Sequence, residues 1–365
     1  MSEQRVIFID ENIPLLAESL AKCGIIIRFN GRKLTNDDLI ANKCQYLFVR
    51  STTKINESLL KNTKIKLVGT ATSGIDHVDT DYLEKQNTDF ASAPGANANS
   101  VAEYVLYCML LYSKKNNVLI KNKTIGIVGY GNVGKFVSRY ASSMGLKVLV
   151  NDPPLLDDGF VFPDYVEYVS FDEISKRADI ITNHVPITYP DEVKHPTYNL
   201  FNKESIKKIK SGSLFIHTSR GGVVEEDALL ARINKGEIIS AVDVFENEPL
   251  VNIELARSAI ISTPHIAGYS RDGKLKGALM MAQAFKLVSD IAIDIQPFDA
   301  ELGAYSPLSD NDFKNYKKLF ALIHNNRKLH EDHQRFLDSL NLDDDMRSKQ
   351  FDLLRKQYPV RRESL

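Results

Sequence analysis

TIGIVGYGNVGKFVSRYASSM, Thr124 to Met144, decides the architecture of this chain. An apolar run, TIGIV, meets three glycines, Gly129, Gly131 and Gly134. Val133, Phe136, Val137, Tyr140, Ala141 and Met144 then recur on one face at helical spacing. The next apolar run, KVLVND, ends at Asp152, 18 residues after Gly134. The first glycine permits a tight turn, the second lets a pyrophosphate approach the backbone, and the third lets the helix pack on the strand. The helix N-terminus adds positive partial charge. An acid at the second strand end suits two ribose hydroxyls and repels a 2′-phosphate, which predicts NAD rather than NADP. A purely structural turn with Asp152 as a solvated cap is the competing reading; the strand–helix–strand order outweighs it.

Working outward, FDEISKRA reads as a helix, and DIITNHVP, SLFIHTS, IISAVDVF and AIISTP extend the series to at least six strands. An earlier series, VIFI, IIIRF, YLFV and KLVG, alternates with ENIPLLAESLAKCG and NESLLKN as helices. Strands alternating with helices predict parallel sheets covered on both faces. A last apolar helix is expected around Ala284 to Asp294, and the charged tail keeps one amphipathic helix through Phe313, Tyr316, Phe320 and Ile323.

At 365 residues the chain exceeds one ordinary core, so two or three domains are expected. A formal net charge of -1 advertises neither nucleic acid nor an anionic membrane. Cys23, Cys44 and Cys108 are odd in number and widely spaced, against a disulfide framework or a zinc site and in keeping with a reducing compartment. The N-terminus does not read as a signal peptide, and VAEYVLYCMLLY, 12 residues with Glu103 inside, is a buried helix rather than a membrane span. The expected location is cytoplasmic.

Arg220, Glu248 and His265 each follow an apolar strand at its C-terminal end, the edge where open α/β sheets bind ligands. Removing hydride from an alcohol carbon needs a base for the hydroxyl proton, and histidine titrates nearest neutrality. A carboxylate fixes the tautomer, and an arginine matches a substrate carboxylate. Alone, each residue reads more easily as structural; their shared position beside a dinucleotide fold reverses that.

The motifs R-G, D-V-x-E-x-E-P and T-P-H-I-A-G resemble the D-2-hydroxyacid dehydrogenase family. DENIP, VRSTTKINESLL, GTATSGIDHVD, APGANA, NDPP and HIAGYSRDGK sharpen the resemblance toward members acting on a phosphorylated four-carbon acid. It covers nearly all of residues 1–290, and LLRKQYPVRRE is similar to the family's terminal dimerisation segment. The resemblance implies a Rossmann-type NAD-binding domain (98–264) inserted in a flavodoxin-like α/β substrate domain (1–97 and 265–290), followed by a small α+β dimerisation domain (291–365). It implies Arg220 and Glu248 in the active site, His265 as proton donor in reduction, and Ser51, Thr72 and Tyr269 on the substrate. For NAD it implies Gly129, Gly131, Asn132, Val133, Gly134, Asp152, Thr218, Ser219, Asp243 and Gly268. Val185 replaces a common threonine and can contribute backbone alone; Phe245 replaces a tryptophan.

The implied partners are a phosphorylated 2-hydroxy acid and a second copy of the chain, with Arg50 and Lys54 near the phosphate. Asp76, His77, Asp79 and Asp81 read as a domain-edge loop rather than a metal site, so no metal is expected. His184 reads as a hydrogen-bonded loop residue, and Arg361 and Arg362 as solvated charges. The competing functions are a dehydrogenase for a three-carbon phosphorylated acid and, in another class, a NAD-sensing binding protein.

Overall fold

Two parallel sheets organise the chain. In the computed structural model residues 5–303, 308–359 and 361–365 are described. The chain divides into two units, Met1–Asn97 with Ser270–Ser306, and Ala98–Tyr269 with Pro307–Leu365.

The first unit carries β1 (Val6–Asp10), β2 (Ile25–Phe29), β3 (Tyr46–Val49), β4 (Leu67–Thr70) and β5 (Asp89–Ala91). Their order, β2-β1-β3-β4-β5, is that of the flavodoxin-like sheet. Helix Arg271–Ser289 covers one face: Leu275, Ala278, Met281 and Phe285 pack with Ile7, Ile9, Tyr46 and Phe48. Gly277 makes this fit possible, since a Cβ there would lie 2.8 Å from the Ala71 carbonyl oxygen. The helix starts earlier than the sequence reading and ends at Asp290, whose φ is 54°, so 290–294 do not extend it. Only Leu16–Ser19 of ENIPLLAESLAKCG is helical; Asn12 donates its backbone NH to Asp10 and holds the segment in a turn. The short β5 lies at the sheet edge, with no buried run to announce it.

The second unit carries β6 (Thr124–Val128), β7 (Lys147–Asn151), β8 (Val166–Tyr168), β9 (Ile180–Asn183), β10 (Ser213–His217), β11 (Ile238–Val242) and β12 (Ile261–Ser262). Their order is β12-β11-β10-β9-β6-β7-β8, so the chain reverses direction across the sheet at β6, beside the glycine loop. Such a reversal opens a crevice at the carboxyl ends of the strands. Helix Ala98–Asn116 is buried without interruption from Ala98 to Leu110, its polar Glu103 included. Among the described residues no helix is long and apolar enough to cross a membrane.

The tail corrects one expectation. The described part of 291–365 forms helices and no strand, so its α+β character is replaced by a helical one. Its sequence is rich in helix caps, with Asn315 accepting from Lys318 N and Asp343 from Met346 N. Asn315 also breaks the single helix expected through Phe313 and Ile323 into Asp310–Lys314 and Tyr316–Arg327. The apolar residues still share one destination: Phe313, Leu319 and Ile323 are buried in the core that Ala98–Asn116 builds. Helices Leu329–Ser339 and Asp344–Lys356 follow. Arg327 pairs with Glu103 at 3.3 Å, both side chains fully buried. It also donates to the carbonyls of Ser100 and Ala267.

Candidate active site

The glycine loop is built for close approach. Gly129 has φ 92°, a conformation L side chains avoid, and a Cβ on Gly134 would lie 2.2 Å from the Gly129 carbonyl oxygen. A Cβ on Gly131 would meet nothing within 4 Å. Gly131 is the N-cap of helix Asn132–Ser143 and brings no side chain to its amides. Open ground thus faces an uncapped helix N-terminus, as a pyrophosphate needs. Asp152, just past β7, accepts from Tyr130 N at 2.6 Å and Leu155 N at 3.1 Å, which fixes its carboxylate against the loop. These residues fit a dinucleotide. Asn132 is exposed, Val133 half-buried, and Val185 packs by its side chain against the core.

His265, Glu248 and Arg220 come from three successive strand ends of this sheet. The first contact is direct: His265 Nδ1 and Glu248 Oε2 are 2.8 Å apart. Phe245 N donates to the other carboxylate oxygen at 3.1 Å, so both oxygens are engaged. Burial would raise the Glu248 carboxyl, but the facing imidazole and these hydrogen bonds hold it below the usual carboxylate range. His265 itself has φ 54°, and its NH donates to the Asp243 carbonyl at 2.7 Å. A left-handed backbone at a non-glycine residue is uncommon, and here the surrounding hydrogen bonds impose it. The Asp243 carboxylate completes the corner by accepting from the Thr263 hydroxyl, Ile266 N and Ala267 N. Thus Asp243 shapes the loop that carries His265.

The Arg-Gly pair has an equally local reason. A Cβ on Gly221 would lie 2.0 Å from the Phe245 carbonyl oxygen, so glycine lets the Arg220 loop close on the loop that leads to Glu248. Arg220 donates to the Ser219 carbonyl at 2.9 Å. Ser219 donates to Asn183, and Thr218 lies 3.4 Å from His184 Nδ1. Burial drives His184 down to about 3, with His217 adding to the shift. Its ring contacts the hydroxyls of Thr182 and Thr218, a loop histidine held neutral. Tyr269, one residue past Gly268, stacks edge-on against Tyr358.

In the first unit, Ser51 is exposed just past β3. Thr72, just past β4, bonds the Thr70 hydroxyl and the Gly74 carbonyl. His77 meets Thr70, and Asp79 caps helix Thr80–Lys85. Among the described residues no group of three or more His, Cys, Asp or Glu could hold a metal ion. Arg361 is half-buried and paired with Asp332 rather than solvated.

Three residues escaped the sequence reading. His217, inside β10, is driven down to about 3 by burial, and its Nδ1 lies 3.2 Å from Asn183 Oδ1. Lys274 is held below its usual range by burial and by the nearby charge of Arg50. Arg355, on the last helix, reaches Tyr269. All three stood inside quoted stretches, His217 in SLFIHTS, Lys274 in HIAGYSRDGK and Arg355 in LLRKQYPVRRE, but nothing in spacing could place their partners.

A dinucleotide loop and a histidine–glutamate pair at neighbouring strand ends define a NAD-binding 2-hydroxyacid dehydrogenase. Residues 111–267 match the family model "D-isomer specific 2-hydroxyacid dehydrogenase, NAD binding domain". The chain is 36% identical to the erythronate-4-phosphate dehydrogenase of Hahella chejuensis over 97% of its own length and 91% of the relative's. It is also 36% identical to that of Shigella flexneri, over 98% and 92%. The chain belongs to the erythronate-4-phosphate dehydrogenase family. Among solved structures it is similar to the Aquifex aeolicus D-lactate dehydrogenase complexed with NAD and lactic acid, at 26% identity and TM-score 0.64, covering 78% of this chain and 96% of that one. The NAD+-bound 3-phosphoglycerate dehydrogenase of Entamoeba histolytica, at 24% identity and TM-score 0.64 over 79% and 96%, shares the fold.

Proposed function

We propose that the chain oxidises 4-phospho-D-erythronate at C2 to 2-oxo-3-hydroxy-4-phosphobutanoate, a step of pyridoxal 5′-phosphate (vitamin B6) synthesis, with NAD as hydride acceptor. The observation that carries this reading is the 2.8 Å His265–Glu248 pair at the strand ends, in a chain 36% identical to that family over 97% of its length. His265 takes the C2 hydroxyl proton during oxidation and returns it during reduction, while Glu248 orients the ring and stabilises the imidazolium. Arg220 holds the substrate carboxylate and polarises the C2 oxygen. Bound NAD supplies the hydride acceptor, held by Gly129, Gly131, Asn132, Val133, Gly134 and Asp152, with Val185, Thr218, Ser219, Asp243 and Gly268 beside it. Ser51, Thr72 and Tyr269 bind the substrate.

The phosphate falls to the first unit in this reading. Arg50 lies close enough to Lys274 to act on its charge, and two neighbouring cations favour an anion between them. The helical tail serves a homodimer, and the protein works in the cytoplasm.

A spectrophotometric screen for NADH formation tests the reading, run over phosphorylated and plain 2-hydroxy acids with and without added 2-oxo acids. We expect 4-phosphoerythronate to exceed erythronate roughly tenfold to a hundredfold in kcat/KM, the worth of one charge-assisted contact. Equal values refute the phosphate site. Preference for 3-phosphoglycerate favours the three-carbon reading, and NAD binding without any turnover favours a sensor.

A further inference from the structure

Arg355 occupies the last turn of helix Asp344–Lys356, outside the matched NAD-binding segment 111–267. Its guanidinium lies 6.0 Å from the Tyr269 ring centroid and 5.7 Å from that of Phe351. Tyr269 meets Tyr358 edge-on at 5.7 Å. The neighbours of Arg355, Leu354 and Tyr358, line a cavity of about 490 Å³ with Pro264 and Ile266, the residues on either side of His265. The end of the helix is therefore set alongside the catalytic loop. Arg355 Nε is buried and has no hydrogen-bond partner among the described residues.

A guanidinium is costly to bury without anions, and aromatic faces compensate in part. Burial would lower the Arg355 pKa, yet the nearby Tyr269 and the Glu248 carboxylate raise it above the usual value. The influence is mutual, since Arg355 helps hold Glu248 ionised. The charged and titratable groups acting at Glu248 are His265, Arg355, His217 and Glu226. Burial pushes Glu226 up to about 7 and His217 down to about 3, so of these four Arg355 is the one charged at every working pH.

We propose that Arg355 is a positioning residue of the active site: it sets the Tyr269 ring beside the His265 loop and places a permanent positive charge near Glu248. A helix of the tail thereby completes a site whose other members lie on the sheet. The kinetic consequence rests on the dehydrogenase reading; the effect on Glu248 does not.

The test uses the full chain with Arg355→Met, Arg355→Lys, Tyr269→Phe and the Met/Phe double substitution. Carbon-13 NMR follows titration of the Glu248 carboxyl, assigned by Glu248→Gln. The midpoint is expected to rise about one pH unit in the Met variant and stay within a few tenths in the Lys variant. In the reductive direction the acid limb of kcat/KM moves up with it. KM for the 2-oxo acid rises about tenfold in both Arg355 variants, because an ammonium cannot reproduce the planar fork. In the Tyr269→Phe background the Met substitution adds less than about threefold. Unchanged NAD affinity and circular dichroism establish the fold, and if the Met variant does not fold, Arg355→Gln replaces it in the same titration. A Glu248 midpoint equal to the parent's, or equally raised in the Lys variant, overturns the proposal, and additive KM effects overturn its Tyr269 part. A parent chain that turns over no 2-hydroxy acid overturns the reaction and leaves the titration to decide Arg355.

Discussion

Glu248 Oε2 lies 2.8 Å from His265 Nδ1 while Glu248 Oε1 accepts from Phe245 N, so one carboxylate is tied at once to the ring and to the backbone of its own loop. That double tie fixes the ring's orientation before any substrate arrives. His265→Ala is expected to cut turnover by about 10²–10⁴-fold with NAD affinity nearly unchanged. Stopped-flow turnover beside a NAD titration checks this, and normal turnover removes His265 from the mechanism.

The pH dependence follows from Glu248. Its carboxyl is held below the usual range by His265 against the effect of burial, so the ionised pair is present above that depressed pKa and is lost as pH falls through it. In the reductive direction, which needs the imidazolium, the acid limb of kcat/KM is expected below about pH 4.3, the ordinary glutamate value. Glu248→Gln should abolish that limb and lower kcat. A parent limb lying above the ordinary value contradicts the assignment.

Gly131 and Gly134 separate cofactor contact from packing. A Cβ on Gly131 meets nothing within 4 Å, whereas one on Gly134 lies 2.2 Å from a backbone oxygen. Gly131→Ala should keep the parent's Tm and lose NAD affinity about tenfold or more, by filling the ground meant for the pyrophosphate. Gly134→Ala should lower Tm as well. Calorimetry beside NAD binding distinguishes them, and an undiminished affinity in Gly131→Ala would move the cofactor elsewhere.

Asp152→Ala should weaken NAD and relax discrimination against NADP, since the ribose contact and the repulsion of a 2′-phosphate disappear together. Dissociation constants for both cofactors measure it. A parent chain that already prefers NADP contradicts the reading of this strand end.

Much of this was legible in the sequence because local patterns carried it. The glycine loop, its helix and the long strands follow from periodicity and turn chemistry, and the R-G and T-P-H motifs sit at strand ends where such sheets bind ligands. The short strands β5 and β8 have three residues each and no buried run, so no pattern marked them. Asn315 divides a helix through a side-chain cap that periodicity does not register. The resemblance implies Asp243 beside NAD, and no sequence pattern shows that its carboxylate also accepts three hydrogen bonds that shape the His265 corner. His217 and Arg355 owe their character to burial and to partners distant along the chain, which no local window contains.

Arg327 and Glu103 lie 3.3 Å apart with both side chains fully buried. Removing one partner strands the other charge, so Arg327→Met is expected to destabilise the second unit by about 3–5 kcal/mol. Chemical denaturation measures it, and a change below about 1 kcal/mol would show that water reaches the site.

The same glutamate accepts the backbone NH of Ser364, 261 residues further along the chain, and Leu365 is part of the core that Leu106 and Ile125 share. A ribosome making this protein finishes the glycine loop, the sheet and the catalytic histidine long before it reaches the residues that satisfy Glu103. The cofactor-binding unit therefore waits, its core open along helix Ala98–Asn116, until the tail segment that carries Arg327, Ser364 and Leu365 has been made. Cutting away the tail to ask whether it holds two copies together would answer a different question, by leaving that core unclosed. The oligomeric state is better probed by charges placed on exposed tail positions such as Leu342 and Met346.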